Sequence, residues 1–476
     1  MSDTAATHVH PDDHEDGLKR SISGRLLFFY VLGDVLGSGI YVLIGLVAGA
    51  VGGAFFLAFA VGVTIATVTG MAYAELATKY PRAAGAALYI QKAFGNRTLT
   101  FLVTVLFLAS SFAAAGSLAS GFARYFGEVF SFPPAAVVAI VFVALLAVVN
   151  YIGITESVVA NMVMTFVEVF GLLIVLLIGF LVIVQGDADF GVLTEFDTDS
   201  NPIFAIIAGV SLAFFAMTGF ENAANVAEET IDPARNFPKA LIGGMAAAGV
   251  FYVLVSISAA LTLPIPELVD AEAPLLAVVE SGVLPVPVGV LSIVFAFIAM
   301  TAITNTTLVA IVTQPRVLYG MAREDVVPAA FGKVHPTRRS PVLALIFSAA
   351  VVIALLAISN LLLSAGLDLD IVARLATVTV VLLLIIYSMV IVACLKLGST
   401  DVNADHYRAP RPLLYLGLVG NVAVLYYTVY DDPTSVLWCL ALVGVGVALF
   451  VVELIFGKRD RPAGTRRGEP IEGKEL

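Results

Sequence analysis

Three carboxylates stand within long apolar stretches of this sequence, where acidic side chains are rare. Asp34 lies in VLGDVLGSGIYVLIG, Glu168 in TFVEVFG and Glu221 in SLAFFAMTGFENAANVAEE. An unpaired carboxylate is costly in hydrocarbon, so an acid in such a place points to a function. The chemistry available to it there is to hold a proton or to bind a cation. These residues predict a polar site inside a membrane.

Two of the same stretches are interrupted by glycine and small polar residues. The motif Gly37-Ser38-Gly39 lies near the middle of the stretch that contains Asp34. Residues 216–219 (AMTG) lie in the stretch that contains Glu221. Because glycine weakens a helix, we predict that both helices are broken near the bilayer midplane. The half-helix that begins near Ile40 then presents free N–H groups suited to a carboxylate, and the half-helix before the break presents carbonyls suited to a cation. Close helix packing is the alternative explanation for the glycines.

The composition is that of a membrane protein, because hydrophobic residues make up 60% of the 476 residues and charged residues only 13%. So few charges cannot cover a soluble protein of this length. The sequence therefore predicts an all-α polytopic membrane protein with twelve transmembrane helices. The predicted spans are 24–50, 53–79, 98–126, 135–151, 157–184, 202–230, 238–263, 286–321, 341–358, 371–396, 411–430 and 434–456.

Basic residues fall on one side of these spans. Of the 25 Lys and Arg residues, only Arg124 and Arg374 lie on the other side. Positive residues are retained in the cytoplasm, which places both termini there. Glu75, at the inner end of span two, is expected in solvent or paired with Lys79. The predicted organisation is a disordered cytoplasmic tail (1–23), a first repeat of five spans (24–200), a second repeat of five spans (201–397), two peripheral spans (398–457) and a second cytoplasmic tail (458–476).

The two repeats are predicted to be inverted relative to each other, because each contains an odd number of spans. The broken spans, one and six, are the first members of the two repeats. A matched pair of interrupted helices is the best sequence indication of the substrate site of a secondary transporter.

Several longer stretches carry a family likeness: LGSGIYVL, YAELATKYPRAAGAALYIQKAFG, NYIGITESVVANMVMT, FFAMTGFENAANVAEETIDPARNFPKAL and RVLYGMARED. Together they resemble the amino acid permeases of the amino acid–polyamine–organocation superfamily. The resemblance implies two inverted five-helix repeats (5+5) with discontinuous helices 1 and 6, two peripheral helices, and amino acid transport by alternating access.

The resemblance also implies a substrate site at the two breaks. The α-carboxylate would bind at Ser38, Gly39 and Ile40, and the α-amino group at backbone carbonyls of the second break. Phe215 resembles the aromatic gate of the family, and Thr218 would face the substrate side chain. The predicted substrate-binding residues are Gly37, Ser38, Gly39, Ile40, Phe215, Ala216, Met217, Thr218 and Gly219.

Two acids depart from the family pattern. Many members have a small residue where Asp34 stands, and many proton-coupled members have a lysine where Glu168 stands. Our hypothesis is that Asp34 and Glu168 form the coupling site, for a proton rather than for sodium. The alternative is that both are protonated packing residues, and Glu221 can equally be a simple helix cap. Further predicted participants in coupling are Glu221, Thr304, Thr306 and Thr307.

The predicted function is proton-coupled amino acid uptake across the cell membrane. An uncoupled exchanger is the main alternative, and an amino acid sensor is a weaker one. Ile40, Phe215, Met217 and Thr218 favour a small or medium neutral substrate, although a cationic substrate paired with Glu221 or Asp34 stays open. The sequence indicates no enzyme, no metal site, no cofactor beyond a proton or sodium ion, and no nucleic acid partner. The expected partners are the amino acid and the lipid bilayer, and the oligomeric state is left open.

Overall fold

The structure is a computed structural model that describes residues 22–37, 39–82, 85–152, 157–196, 201–323, 327–335, 341–366, 370–398 and 406–456. The regular structure of these residues is helical, apart from one isolated β-bridge between Ile22 and Thr230. The α-helices are α1 (Gly24–Leu36), α2 (Gly39–Val51), α3 (Phe56–Lys79), α4 (Gly85–Phe94), α5 (Arg97–Val129), α6 (Ala135–Ile152), α7 (Ser157–Gln185), α8 (Pro202–Ala216), α9 (Pro233–Thr262), α10 (Ile265–Asp270), α11 (Pro274–Glu280), α12 (Val288–Arg323), α13 (Val342–Ser364), α14 (Ile371–Leu397), α15 (Arg411–Asp431) and α16 (Thr434–Phe456). The predicted tails lie outside the described residues, except for Ile22 and Ser23.

The predicted polytopic membrane protein is confirmed. Within the described residues, ten helical segments are long and apolar enough to cross a bilayer, and the first of them, Gly24–Val51, combines α1 and α2. Shorter apolar helices, Ala135–Tyr151 and Thr434–Ala448, lie where spans four and twelve are predicted. The division into two inverted repeats stays a prediction.

Local sequence explains where several helices begin. The side chain of Asn96 accepts hydrogen bonds from the first turn of α5, and Asp370 does the same for α14. Asn201 caps α8, and Pro202 follows at a position where a missing N–H costs nothing. These caps satisfy N–H groups that a helix leaves unpaired at its start.

The packing of the long helices positions the two interruptions face to face. The helices α1 and α2 pack on α9 and α8 respectively, while α7 packs on α1, α9 and α12. The helix α5, 33 residues long, lies against both α12 and α14. At about 1.5 Å per residue it is longer than the hydrocarbon core is thick, so it is long enough to cross a bilayer with some tilt.

Both predicted interruptions are present. The first separates α1, which ends at Leu36, from α2, which begins at Gly39. The second begins after Ala216, the last residue of α8, and the chain then turns through residues 217–219. The segment that follows, Phe220–Val226, is a 3-10 helix rather than the α-helix that the sequence predicts.

Candidate substrate and coupling site

The two interruptions are in direct backbone contact. A Cβ atom on Gly39 would lie 2.2 Å from Cα of Ala216, which is far inside van der Waals contact. Only glycine permits this approach. The first N–H groups of α2, which have no partner within the helix, therefore begin beside the last residue of α8.

Tyr252 of α9 connects the ends of the two interrupted helices. Its hydroxyl lies 3.0 Å from the carbonyl oxygen of Leu36 and 2.8 Å from that of Ala216, and it also contacts the carbonyl of Val35. One hydroxyl proton serves one acceptor at a time, so three carbonyl oxygens around it form a negative region. The helix ends thus present an N–H side and a carbonyl side within one small volume.

The second interruption depends on Gly219, whose φ of 112° is strained for any residue with a side chain. Its N–H donates a hydrogen bond of 2.9 Å to Oε2 of Glu221. The hydroxyl of Tyr387 donates to the same oxygen at 2.7 Å. The side chain of Thr218 turns back toward the end of α8, because its hydroxyl donates to the carbonyl of Phe215 at 2.7 Å.

A pocket with an empty volume of about 540 Å³ opens between these elements. Of the predicted site residues, those that line it are Asp34, Gly39, Phe215, Ala216, Thr218, Gly219, Glu221 and Thr306. Ser38 lies outside the described residues.

Three predicted residues lie beside the pocket rather than on its wall. Ile40 and Met217 are completely buried, and neither is among the lining residues. Gly37 faces α12, since a Cβ there would lie 1.7 Å from Oγ1 of Thr306. Their binding roles stay predictions.

The far wall of the pocket comes from helices that the sequence reasoning did not connect with the site. The helix α5 contributes Ser110 and Ser111, and α14 contributes Thr379. Asn222, which follows the second interruption, also lines the pocket. Adjacent serines within an apolar span are a signal that could have been noticed. No local sequence pattern indicates that α14 packs against α5, because that contact depends on the tertiary structure.

Asp34 and Glu168 are buried with few or no partners. Asp34 is 2% exposed, and Nδ2 of Asn222 donates to its Oδ2 at 3.1 Å. Its Oδ1 has no hydrogen-bond partner in the described structure, and neither has either carboxylate oxygen of the fully buried Glu168. Such atoms are rare in folded proteins and need an explanation, such as an ion, a proton or water.

Further polar atoms surround these two acids. Nδ2 of Asn161 donates to Oδ1 of Asn305 at 2.9 Å, and a Cβ on Gly33 would lie 3.2 Å from Nδ2 of Asn305. The Asn305 amide faces Glu168 without reaching hydrogen-bond geometry with it. The hydroxyl of Thr306 is also buried without a partner among the described residues. We call Asp34, Asn161, Glu168, Asn305 and Thr306 the central polar cluster.

The other two predicted threonines are bound to their own helix. The Thr304 hydroxyl donates to the carbonyl of Met300 and the Thr307 hydroxyl to that of Ile303, both at 2.6 Å. Asn161 and Asn305 were missed by the sequence reasoning. An asparagine at mid-depth of an apolar span is the signal that could have revealed them.

Charged residues at the ends of the helices are paired. Glu75 is 1% exposed and accepts hydrogen bonds of 2.8 Å from both Nη2 of Arg411 and the N–H of Ala409. The expectation that Glu75 is solvated or paired with Lys79 is wrong, because the segment before α15 folds back over the end of α3. Lys79 donates instead to the carbonyl of Leu397.

The two basic residues predicted on the outer side are also paired. Arg124 lies 2.7 Å from Asp370, the cap of α14, and Arg374 contacts Asp432. Burial alone would raise the pKa of Asp432, but hydrogen bonds from Arg374 and Thr434 hold that pKa below its ordinary value. These pairs fasten α14 to α5 and to the connection between α15 and α16.

A multi-pass helical protein with a polar pocket between two interrupted helices belongs to the structural class of secondary transporters. Comparison with known proteins agrees, since a family model described as amino acid permease matches residues 22–465. The chain belongs to the amino acid permease family, which is a family of transporters and not of enzymes.

Individual relatives are distant. The chain is 27% identical over 346 residues to the chloroplastic cationic amino acid transporter 9 of Arabidopsis thaliana, covering 68% of this chain and 58% of that protein. It is 24% identical over 350 residues to the branched-chain amino acid permease of Bacillus subtilis, covering 69% and 73%. It is 27% identical over 468 residues to an uncharacterized transporter of Mycobacterium tuberculosis, covering 97% and 98%. The chain thus spans less than two thirds of the Arabidopsis relative.

Proposed function

We propose that this protein takes up amino acids across the cell membrane by alternating access and that uptake is coupled to protons. In this proposal the chain has twelve spans, arranged as two inverted repeats of five and two peripheral helices, with both termini in the cytoplasm. The observation that carries the proposal is the contact between the two helix interruptions at a polar pocket. The printed names of relatives support an amino acid substrate.

The substrate α-carboxylate binds the N-terminus of α2 in this proposal, and the α-amino group binds the carbonyl side formed by the ends of α1 and α8. Both groups are present in every amino acid, so this part of the site recognises the class. The approach of Gly39 to Ala216 supports the assignment, because it brings N–H donors and carbonyl acceptors within reach of one small molecule.

Proton coupling is assigned to Asp34 and Glu168. Asp34 lines the pocket, whereas Glu168 does not, and both have carboxylate oxygens without a partner among the described residues. Two neighbouring buried carboxylates cannot both stay bare anions, so one shared proton stabilises the pair. Because Asp34 belongs both to the pocket and to the central polar cluster, its protonation can respond to substrate.

The test is gradient-driven uptake by the purified full chain in proteoliposomes. We expect an inward proton gradient, without sodium, to drive accumulation of radiolabelled amino acids drawn from a screen of the twenty. Asp34→Asn and Glu168→Gln should each lower accumulation at least tenfold while exchange across the membrane persists. The control is Glu195→Gln, which removes one exposed charge.

Three results would contradict the assignment. Undiminished accumulation in both variants would show that neither acid couples protons. Accumulation that needs sodium would replace the proton as the coupling ion. Exchange without any gradient-driven uptake in the wild-type protein would make it an exchanger.

A further inference from the structure

The pocket is lined by two carboxylates, Asp34 and Glu221, and the described residues of its wall include no lysine, arginine or histidine. A water-poor site with charge of one sign is complementary to a ligand of the opposite sign. A neutral amino acid is a zwitterion, so it brings no net charge to balance these acids. The negative charge of the wall therefore favours a positive charge on the substrate side chain.

Glu221 is held in a fixed position on that wall. Its Oε2 receives two hydrogen bonds, from the N–H of Gly219 and the hydroxyl of Tyr387. Two hydrogen bonds to one carboxylate oxygen fix the position of that carboxylate. The N–H of Gly219 and the hydroxyl of Tyr387 are both uncharged. Glu221 therefore has no cationic partner at these two contacts.

Asp34 differs from Glu221 in its surroundings. Its one hydrogen bond to a side chain comes from Asn222, and its Oδ1 has no partner among the described residues. A Cβ on Gly219 would lie 3.1 Å from Cγ of Asp34, so the two acids flank that glycine. Since Asp34 is assigned to coupling with Glu168, Glu221 is the acid left to recognise the substrate.

The wall between α5 and α14 provides further oxygen atoms. The hydroxyl of Ser110 donates to the carbonyl of Phe107 at 2.7 Å, and that of Thr379 donates to the carbonyl of Leu375 at 2.8 Å. Each hydroxyl oxygen retains lone pairs that can accept a hydrogen bond. Because no basic side chain lies on the described wall to occupy these hydroxyl oxygens, they can accept hydrogen bonds from an ammonium or guanidinium group.

We infer that the substrates are amino acids with a cationic side chain, whose ammonium or guanidinium group is bound by Glu221 and the hydroxyl groups of Ser110 and Thr379. The inference rests on the proposed function and selects the substrate class of that same site. It opposes the expectation of a neutral substrate, which was based on Ile40, Phe215, Met217 and Thr218. Phe215 and Thr218 line the pocket, whereas Ile40 and Met217 do not.

The decisive comparison is arginine against citrulline, which has nearly the same shape but an uncharged side chain. Displacement of radiolabelled arginine from the purified full chain should need at least tenfold more citrulline than arginine. Lysine against norleucine provides an independent pair. A wild-type protein that binds citrulline or norleucine as well as its charged counterpart would overturn the inference while leaving amino acid transport intact.

Glu221→Gln tests the residue itself, since glutamine retains an oxygen that can accept from Gly219 and Tyr387. We expect the preference for arginine over citrulline to fall at least fivefold, while Glu195→Gln keeps it. An unchanged preference in folded Glu221→Gln protein would overturn the role of Glu221. If the variant does not fold, the wild-type comparison still decides the substrate class. If no amino acid is bound or transported at all, the proposed function itself is wrong.

Discussion

Charged side chains at the ends of the helices form ion pairs, whereas two acids at the centre of the protein have none in the described structure. At the ends, Glu75 is paired with Arg411, and Arg124 is paired with Asp370. At the centre, Asp34 and Glu168 retain carboxylate oxygens without a partner in the described structure. The pairs at the ends connect helices to one another, which is a structural role. The unpaired acids contribute nothing comparable to folding, so their retention in hydrocarbon points to function.

The same contrast holds for glycine. Gly39, at the centre, has no room for a methyl group, because the backbone of Ala216 occupies that space. Gly127, near the C-terminal end of α5, has nothing within 4 Å of an added Cβ. Backbone of the neighbouring helix thus leaves no space for a side chain at Gly39, whereas the space beside Gly127 is open. Substitutions at matched positions can test this contrast.

The largest effect is expected from Gly39→Ala. The new methyl group would force α2 away from α8, and a displacement of about 1 Å at a binding site can reduce its activity about 100-fold. Uptake in proteoliposomes should fall by about that factor. Gly127→Ala is the control and should keep wild-type uptake, since alanine favours a helix over glycine by roughly 0.5–1 kcal/mol. Normal transport by Gly39→Ala would show that the two interruptions separate during function.

A smaller effect, and one on stability instead of transport, is expected from Glu75→Gln. The substitution removes a buried carboxylate that accepts from Arg411 and Ala409, and hydrogen bonds to charged groups contribute roughly 1.5–3 kcal/mol. The melting temperature of the purified protein should fall by several degrees.

The matched change at the centre, Glu168→Gln, should leave the melting temperature nearly unchanged while it abolishes coupling. The carboxylate of Glu168 has no partner among the described residues to lose. A larger loss of stability in Glu168→Gln than in Glu75→Gln would reverse the comparison between centre and ends.

The smallest effect concerns the ion pair of Arg374 and Asp432. The pKa of Asp432 is lower in the folded protein than its ordinary value, so its contribution to stability is present at neutral pH and is lost as the pH falls through that lowered pKa. Because the pair is partly exposed, the contribution is below about 1 kcal/mol. Asp432→Asn should therefore lower the melting temperature slightly at pH 7, and the difference from the wild-type protein should shrink as the pH falls below the ordinary pKa of 3.8. Asp187→Asn, at an exposed aspartate, is the control.

The positions of the spans and of both interruptions could be predicted within a few residues. A bilayer requires long apolar helices, and it tolerates a helix break only beside a polar cavity, so both features are visible in a short window of sequence. The first break was predicted around residues 37–39, and α1 ends at Leu36 while α2 begins at Gly39. The second was predicted at residues 216–219, and α8 ends at Ala216.

The form of the second break was not predictable in the same way. Residues 220–226 read as the start of an α-helix, but they form a 3-10 helix. Gly219 has a positive φ there, and the carboxylate of Glu221 turns back to its N–H. The hydroxyl of Tyr387, from a helix 166 residues away in sequence, holds that carboxylate in place. A contact between residues so far apart in the chain cannot be predicted from the sequence around either residue.

The sequence by itself determined that the chain crosses a membrane many times, that two of its helices are interrupted, and that three acids lie within apolar stretches, because hydropathy and helix propensity act on neighbouring residues. Only the tertiary structure decided which of those acids has donors and which has none. Glu221 accepts a hydrogen bond from Tyr387, 166 residues away, whereas the described surroundings of Glu168 supply no partner to its carboxylate. Pairing depends on which helices meet, and that is a property of the whole fold.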